Sequence, residues 1–342
     1  MTTSNPTCLR AVGALLALLA LFAVFTFPLF VVLNGPIDAG PLRDAGADVH
    51  VDSVPVIDRL TQAATTHTQK TIVKTIRDVL AGEGNATFPN DMPWDDEGNV
   101  LHWAARQGQI SVVESLIRLP GVKVNEHGKS GKTALHFAAF AGHKGIAELL
   151  LTAPGINVNA PDAFRKTPLH AAVASRQPEI VEMLAKRHDV DVNARDRDLT
   201  TALHWSMTWN NVDVVKVLLN STGIDVNPKD HHLATPLHWA ASLGRDTLVA
   251  LLVLDPRINV SAVDDAQQTP LHRAVANSRV AVVETLAGVR GIGTSLKDKD
   301  GKTALDLARE RELRSVERLL GGRGNCLSGI ARGMKRYASN WL

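Results

Sequence analysis

Six histidines recur every 34 residues, at His102, His136, His170, His204, His238 and His272, and Asp306 takes the seventh beat. A leucine precedes each of them, from Leu101 to Leu305. A fixed period of this length marks a chain that stacks one small unit on the next, so it grows in one dimension rather than closing around a single core. The period also changes what the histidines are. They are one structural position seen six times, not six candidate ligands.

Further columns keep the same period. Thr133-Ala134-Leu135-His136, Thr167-Pro168-Leu169-His170, Thr201-Ala202-Leu203-His204, Thr235-Pro236-Leu237-His238 and Thr269-Pro270-Leu271-His272 align, and Thr303-Ala304-Leu305-Asp306 closes the series. Asn99-Val100-Leu101-His102 opens it without the threonine. A second column reads Asp162, Asp196, Asp230, Asp264, Asp298. A third reads Val124-Asn125, Val158-Asn159, Val192-Asn193, Val226-Asn227 and Val260-Ser261.

Each column has a local physical reading. A threonine hydroxyl caps a helix N-terminus, and proline fits the first helical position, where its missing N–H has no partner anyway. Each unit therefore starts a short helix at its threonine. Ala104-Ala105, Ala138-Ala139 and Ala240-Ala241 let neighbouring helices approach, and Gly108, Gly142 and Gly244 end the helix. A second helix follows, with a first apolar position at Val112, Ile146, Ile180, Val214, Leu248, Val282 and Val316, and a last at Leu116, Leu150, Leu184, Leu218, Leu252, Leu286 and Leu320. Loops such as Pro120-Gly121 and Pro154-Gly155 come next. The stretch from Val-Asn to Asp has turn character and is expected to protrude as a hairpin.

The T-P-L-H-x-A-A pattern, the following glycine, the V-V-x-x-L-L helix and the D-V-N-A turn together resemble ankyrin repeats. The commonest ankyrin unit has 33 residues. Here each unit carries one more, placed most simply in the Pro-Gly loop. Seven units are expected: 92–125, 126–159, 160–193, 194–227, 228–261, 262–295 and 296–321, the two end ones atypical, as capping repeats are. The resemblance implies an all-α repeat solenoid of helix-turn-helix units with hairpins. It also implies that the histidine hydrogen-bonds at the start of the first helix.

Other chemistry is not visible. Two cysteines, Cys8 and Cys326, lie far apart and build neither a disulfide framework nor a thiolate metal site. The six histidines stand one per unit, too far apart to share a zinc with ligand distances near 2 Å. No Gly-x-Ser-x-Gly, phosphate loop or His-Glu-x-x-His occurs. The reading is no enzyme, no metal, no cofactor and no small-molecule substrate. Net charge is +2, and the tail after Leu320 holds four basic residues and no acid, so the body is nearly neutral. A near-neutral body argues against a nucleic-acid partner, which would want a basic face.

Ala11 to Leu33 is 23 residues without a charge. About 20 suffice to span a bilayer, whereas a secretory signal has an apolar region of about 7–15. An uncleaved single-pass membrane helix over 11–33, after an N-terminal tail of residues 1–10, is the first reading; it makes the lipid bilayer a partner. A cleaved signal, with a weak site near Ile37-Asp38-Ala39, is the second. Arg10 biases the N-terminus inward, which puts the repeats on the far side. Three sequons, at Asn85, Asn220 and Asn259, permit that. Residues 34–91 form a linker and a helical segment, Val54 to Leu80, expected to cap the first unit. In the tail, 322–342, Leu327, Ile330, Met334, Tyr337 and Trp341 share one helical face, which suits either an anionic membrane surface or the exposed end of the last unit.

The resemblance implies a protein partner held on the concave face, by hairpin tips and by the residues just before the glycine column. Here these are Arg106, Phe140, Phe164, Lys166, Arg197, Trp209, His231, His232 and Leu243, with Lys129, Lys132 and Asp265 beside them. Exposed aromatics next to arginine have the composition of interface hot spots. Trp103, Phe137, Trp205 and Trp239 form another column, expected to pack between helices. Two functions stand: a membrane-anchored scaffold that binds another protein, and a secreted or surface-exposed effector. Regulation of an enzyme by binding to it ranks below both.

Overall fold

The computed structural model describes residues 99–118 and 122–322. The expected membrane helix at 11–33, the segment 34–91, the sequon at Asn85 and nearly all of the tail at 322–342 lie outside the described residues. Among the described residues no helix is long and apolar enough to cross a membrane.

Fourteen helices form among these residues, and no strand does. They come in pairs: α1 (Val100–Gln107) with α2 (Ile110–Ile117), α3 (Ala134–Ala141) with α4 (Lys144–Thr152), α5 (Pro168–Ala174) with α6 (Pro178–Ala185), and α7 (Ala202–Thr208) with α8 (Val212–Leu219). The series continues with α9 (Pro236–Leu243) and α10 (Asp246–Leu254), α11 (Pro270–Ala276) and α12 (Val280–Ala287), and α13 (Ala304–Glu310) and α14 (Arg314–Gly321). The chain divides into two compact units, Met1–Val124 and Asn125–Leu342. In the first, α1 packs on α2. In the second, the first helices α3, α5, α7, α9, α11 and α13 pack in one row and the second helices α4 to α14 in another.

These helices have seven to nine residues, below the length at which isolated helices persist in water. Burial between rows holds them. Leu135, Leu169, Leu203, Leu237 and Leu271 in the first row are buried, as are Ile146, Ile180, Val214, Leu248 and Val282 in the second. Alanines at the row contacts, Ala104, Ala105, Ala138, Ala139, Ala240 and Ala241, are fully enclosed. In α2 the burial differs from the sequence expectation. Val113 is fully buried while Val112 is only partly so. Val113 belongs to a column with Ala147, Val181, Val215, Val249 and Val283, all fully buried, so α4, α6, α8, α10 and α12 each bury a third position beside the expected two, whereas α14 buries Val316 and leaves Leu320 half-buried.

The first helices end in a left-handed residue. Gly108, Gly142 and Gly244 have φ of 76°, 81° and 73°, which lets the chain turn into the second helix. Non-glycine residues hold the same conformation elsewhere in this column, at Arg176, Asn210, Ser278 and Glu312.

Candidate functional site

Helix starts use the periodic histidine as the reciprocal half of a cap. In His136, His170, His204, His238 and His272, Nδ1 accepts the backbone N–H of the threonine three residues earlier, at 3.1–3.2 Å. The threonine hydroxyl lies 2.8–3.1 Å from the same nitrogen. Because Nδ1 accepts an N–H, the ring proton sits on Nε2. There it donates to a carbonyl of the next unit: His136 to Lys166, His204 to Ala234, His238 to Gln268 and His272 to Lys302, at 2.9–3.2 Å. His170 is the exception, its buried Nε2 finding no partner within hydrogen-bonding distance and angle. Burial pushes His136 and His204 down to about 4 and also lowers His170, His238 and His272. These rings are neutral structural pins.

The opening and closing variants obey the same logic. Asn99 replaces threonine, and its Oδ1 accepts from Leu101 and His102 N–H at 3.0 and 3.2 Å. Asp306 replaces histidine, and its Oδ2 accepts from Thr303 N and Oγ1 at 3.1 and 2.7 Å. A carboxylate keeps the cap but has no N–H to pass onward.

The aspartate column builds the tips. Oδ1 of Asp162, Asp196, Asp230, Asp264 and Asp298 accepts backbone N–H groups two and four residues ahead, at 2.8–3.1 Å. Each tip is thus a carboxylate-wrapped turn. Neighbouring tips are tied by one backbone bond each, Arg197 N to Phe164 O and His231 N to Asp198 O among them, at 3.0 and 3.1 Å. This ladder replaces the strand pairing that a hairpin would bring. At the other loop a second ladder forms. Asn193 Nδ2 donates to Gly223 O at 2.8 Å, and its Oδ1 accepts Asp225 N–H at 2.8 Å. Asn125, Asn159 and Asn227 do the same one unit away, and Ser261 substitutes for them.

The variable positions sit on this frame. Phe140 and Phe164 are each 57% exposed and Trp209 is 40% exposed. Cations lie on their rings: Lys132 at 6.0 Å from Phe140, Lys166 at 5.8 Å and Arg197 at 5.6 Å from Phe164, and Arg176 at 5.2 Å from Trp209. Lys166 also stands 3.9 Å over Trp205. Phe164, Lys166 and Arg197 are therefore brought together in one cluster. His231, His232 and Leu243 are gathered elsewhere, around a cleft of about 400 Å³ lined also by Trp239, Thr208, Ser242 and Arg273. The two imidazoles lie 3.8 Å apart, and His232 Nδ1 faces Asp265 at 3.1 Å. Arg106 is exposed in the last turn of α1, in the first compact unit.

The sequence column of Phe137, Trp205 and Trp239 predicts core packing between helices. Phe137 is buried, but the two tryptophans are half-buried, and their indole N–H donates to Asp196 Oδ2 and Asp230 Oδ2 at 3.0 and 2.9 Å. The tip aspartate thus fixes the ring at the border of the face. The nine-residue spacing between aspartate and aromatic was present in the sequence as a signal. Arg273 keeps it by reaching Asp264 at 2.6 Å.

A family model described as ankyrin repeats in three copies matches five overlapping stretches, 60–162, 101–196, 157–230, 188–264 and 237–327. The chain belongs to the ankyrin-repeat family. Solved ankyrin structures agree with the fold. The ankyrin repeat domain of Bcl-3, described as a unique member of the IkappaB protein family, shares 29% identity at a TM-score of 0.60, over 67% of this chain and all of that one. The human ASB11 ankyrin repeat domain shares 29% identity at a TM-score of 0.53, over 65% of this chain and 96% of that one. No curated protein sequence matches the chain. An ankyrin-repeat domain is typically a protein–protein interaction module, which agrees with a frame whose periodic polar groups are internally bonded.

Proposed function

We propose that this protein is a membrane-anchored adaptor that binds another protein through the tips and first-helix ends of its ankyrin units, without catalysis. The observation that carries the reading is the set Phe140, Phe164 and Trp209, large rings left exposed where nothing in the repeat requires them. A rigid frame presents them in one arrangement, so little ordering entropy is lost on binding. The anchor rests on the uncharged run from Ala11 to Leu33.

Photo-crosslinking tests the face. A photoreactive residue placed at Phe140 or Trp209 in the full chain should trap a protein in cells, and one at Lys186 or Glu182, exposed on the second-helix row, should not. Trp209→Ala and Phe140→Ala should weaken binding to the trapped protein while leaving thermal unfolding unchanged. Equal crosslinking from both rows, or wild-type affinity in both variants, removes the assignment.

A second reading, a secreted ankyrin effector, is favoured by the exposure of Asn220 and Asn259. Intact mass and protease protection separate the two. Full-length mass with repeats digested from the cytosolic side means an anchored cytosolic adaptor. Loss of the segment before residue 40, or protection with added glycan, means the secretory side.

A further inference from the structure

Resting on that face being a protein-binding surface, we infer that its central stretch selects an acidic peptide segment in which carboxylates alternate with apolar side chains. Three observations meet here. The first is the charge of the tips over residues 128–132, 162–166 and 196–200. They carry Lys129, Lys132, Arg165, Lys166 and Arg197, and Asp198 is their one exposed carboxylate. Asp162 and Asp196 are buried, with oxygens committed to backbone N–H groups and, at Asp196, to Thr200 and Trp205. Burial opposes ionisation of Asp196, yet the bonds from Thr200 and Trp205 together hold its carboxyl below the usual range. The carboxylates here work inward and do not neutralise the surface.

The second observation is that the cations are not spent. Among the described residues Lys132, Arg165, Lys166, Arg176 and Arg197 enter no ion pair. Lys132, Lys166, Arg176 and Arg197 rest on aromatic rings instead, which leaves their charge facing outward. Farther along the same row the situation reverses. Lys302 is paired with Glu310 at 2.7 Å, and Asp265 faces His232. The unpaired positive charge is thus densest over the second, third and fourth tips.

The third is the interleaving. Each exposed ring has a cation over it, Lys132 at Phe140, Lys166 and Arg197 at Phe164, and Arg176 at Trp209. A partner of carboxylates alone would leave the rings wet, and an apolar partner would strand the cations without water. Beyond Trp209 the row continues to the cleft between the His231–His232 tip and α9. There the Trp239 indole, held by Asp230, and Leu243 form an apolar wall that suits a bulky side chain at one end of the segment. Exposed Leu199 and Leu233 border this stretch with positive φ, a conformation that leucine rarely adopts.

The test is selection of random peptides displayed on phage against the full chain, followed by fluorescence anisotropy of the winners. The expected winners alternate Asp or Glu with Leu, Ile or Phe, and they weaken as salt rises. Lys166→Glu with Arg197→Glu should lower their affinity at least about tenfold, with thermal unfolding unchanged. The same reversed protein, used for a second selection, should prefer basic peptides. Winners that are neutral or basic yet lost on Trp209→Ala leave the face standing and overturn the acidic preference. Acidic winners indifferent to both the reversal and Trp209→Ala bind elsewhere, and the face falls with the proposal. Absence of any winner, or uptake of phosphatidylserine vesicles instead, overturns it as well.

Discussion

Asp196 and Arg197 are adjacent in the chain and belong to different regions of the molecule. Asp196 is buried, and its two oxygens take four bonds, from Asp198 N, Thr200 N, Thr200 Oγ1 and Trp205 Nε1. Arg197 is exposed, and its guanidinium lies 5.6 Å from the centre of the Phe164 ring. The periodic region spends its hydrogen-bonding capacity inside the frame, the buried His170 Nε2 excepted. The variable region contributes little to the frame and keeps its charge and ring faces for others. The first region explains why the chain folds, and the second explains why it would bind.

The sharpest break of this contrast is in the core of the frame. Leu218 is fully buried in α8 between two neighbouring second helices. Leu218→Ala removes its transfer energy and leaves a cavity, a loss of about 2–5 kcal/mol. Calorimetry should show a large drop in the melting temperature. An unchanged melting temperature would mean that the column is not the core.

Acid should act next, because it attacks the pins together. In the unfolded chain a histidine binds its proton below about pH 6.5, whereas burial delays this to about 4 in folded His136 and His204. Between those values the unfolded state holds more protons, so stability is complete above pH 6.5 and falls as pH drops toward 4. A shift of this size is worth about 3 kcal/mol per ring. Protonation also places a hydrogen on Nδ1, against the threonine N–H it accepts. The expected result is loss of helical circular dichroism between pH 6 and pH 4, in the window these pKa values set. The His204→Asn variant should be less stable at neutral pH and flatter in this window. A wild-type stability that is level from pH 7 to pH 4 would remove the neutral-pin role.

Weaker again is the asparagine ladder. Asn193→Ala cuts two bonds between units, and both are solvent-exposed, so about 1–2 kcal/mol is expected. Trp209→Ala, which breaks no hydrogen bond within the frame, should stay within about 0.5 kcal/mol. If the tryptophan variant unfolds first, frame and face are not separable in this protein.

The sequence displayed the frame because each of its parts is tied to the period. Thr, His, Asp and Asn recur every 34 residues since each makes the same bond in successive units, Thr and Asp within their own unit and His and Asn to the next. What escaped is what the period does not carry. Trp205 and Trp239 share a column with buried Phe137, and only the indole N–H bond to the tip aspartate distinguishes them. The column of Val113 is hidden beside that of Val112 because both are apolar, and from α4 to α12 the second helices bury both. The cations over Phe164 come from different tips, Lys166 from its own and Arg197 from the next, so no local spacing announces their meeting.

A small effect is the most diagnostic where it asks the two regions to move in opposite directions. Gly131, Arg165, Leu199, Leu233 and Gln267 occupy the same tip position with φ between 56° and 73°. Glycine adopts this conformation freely, and at Gly131 an added Cβ would stand 2.4 Å from Ala163 N. A leucine there carries a cost of about 1 kcal/mol. Leu233 is 45% exposed and recovers only part of that by burial. Leu233→Gly should therefore raise stability by at most about 1 kcal/mol, since the glycine also loosens the unfolded chain. It should at the same time weaken the peptides selected on the face, whose apolar side chains would lose a wall beside the cleft. Stability and affinity falling together would return Leu233 to the frame. A rise in the first with a fall in the second would show a residue kept for binding at the expense of the fold.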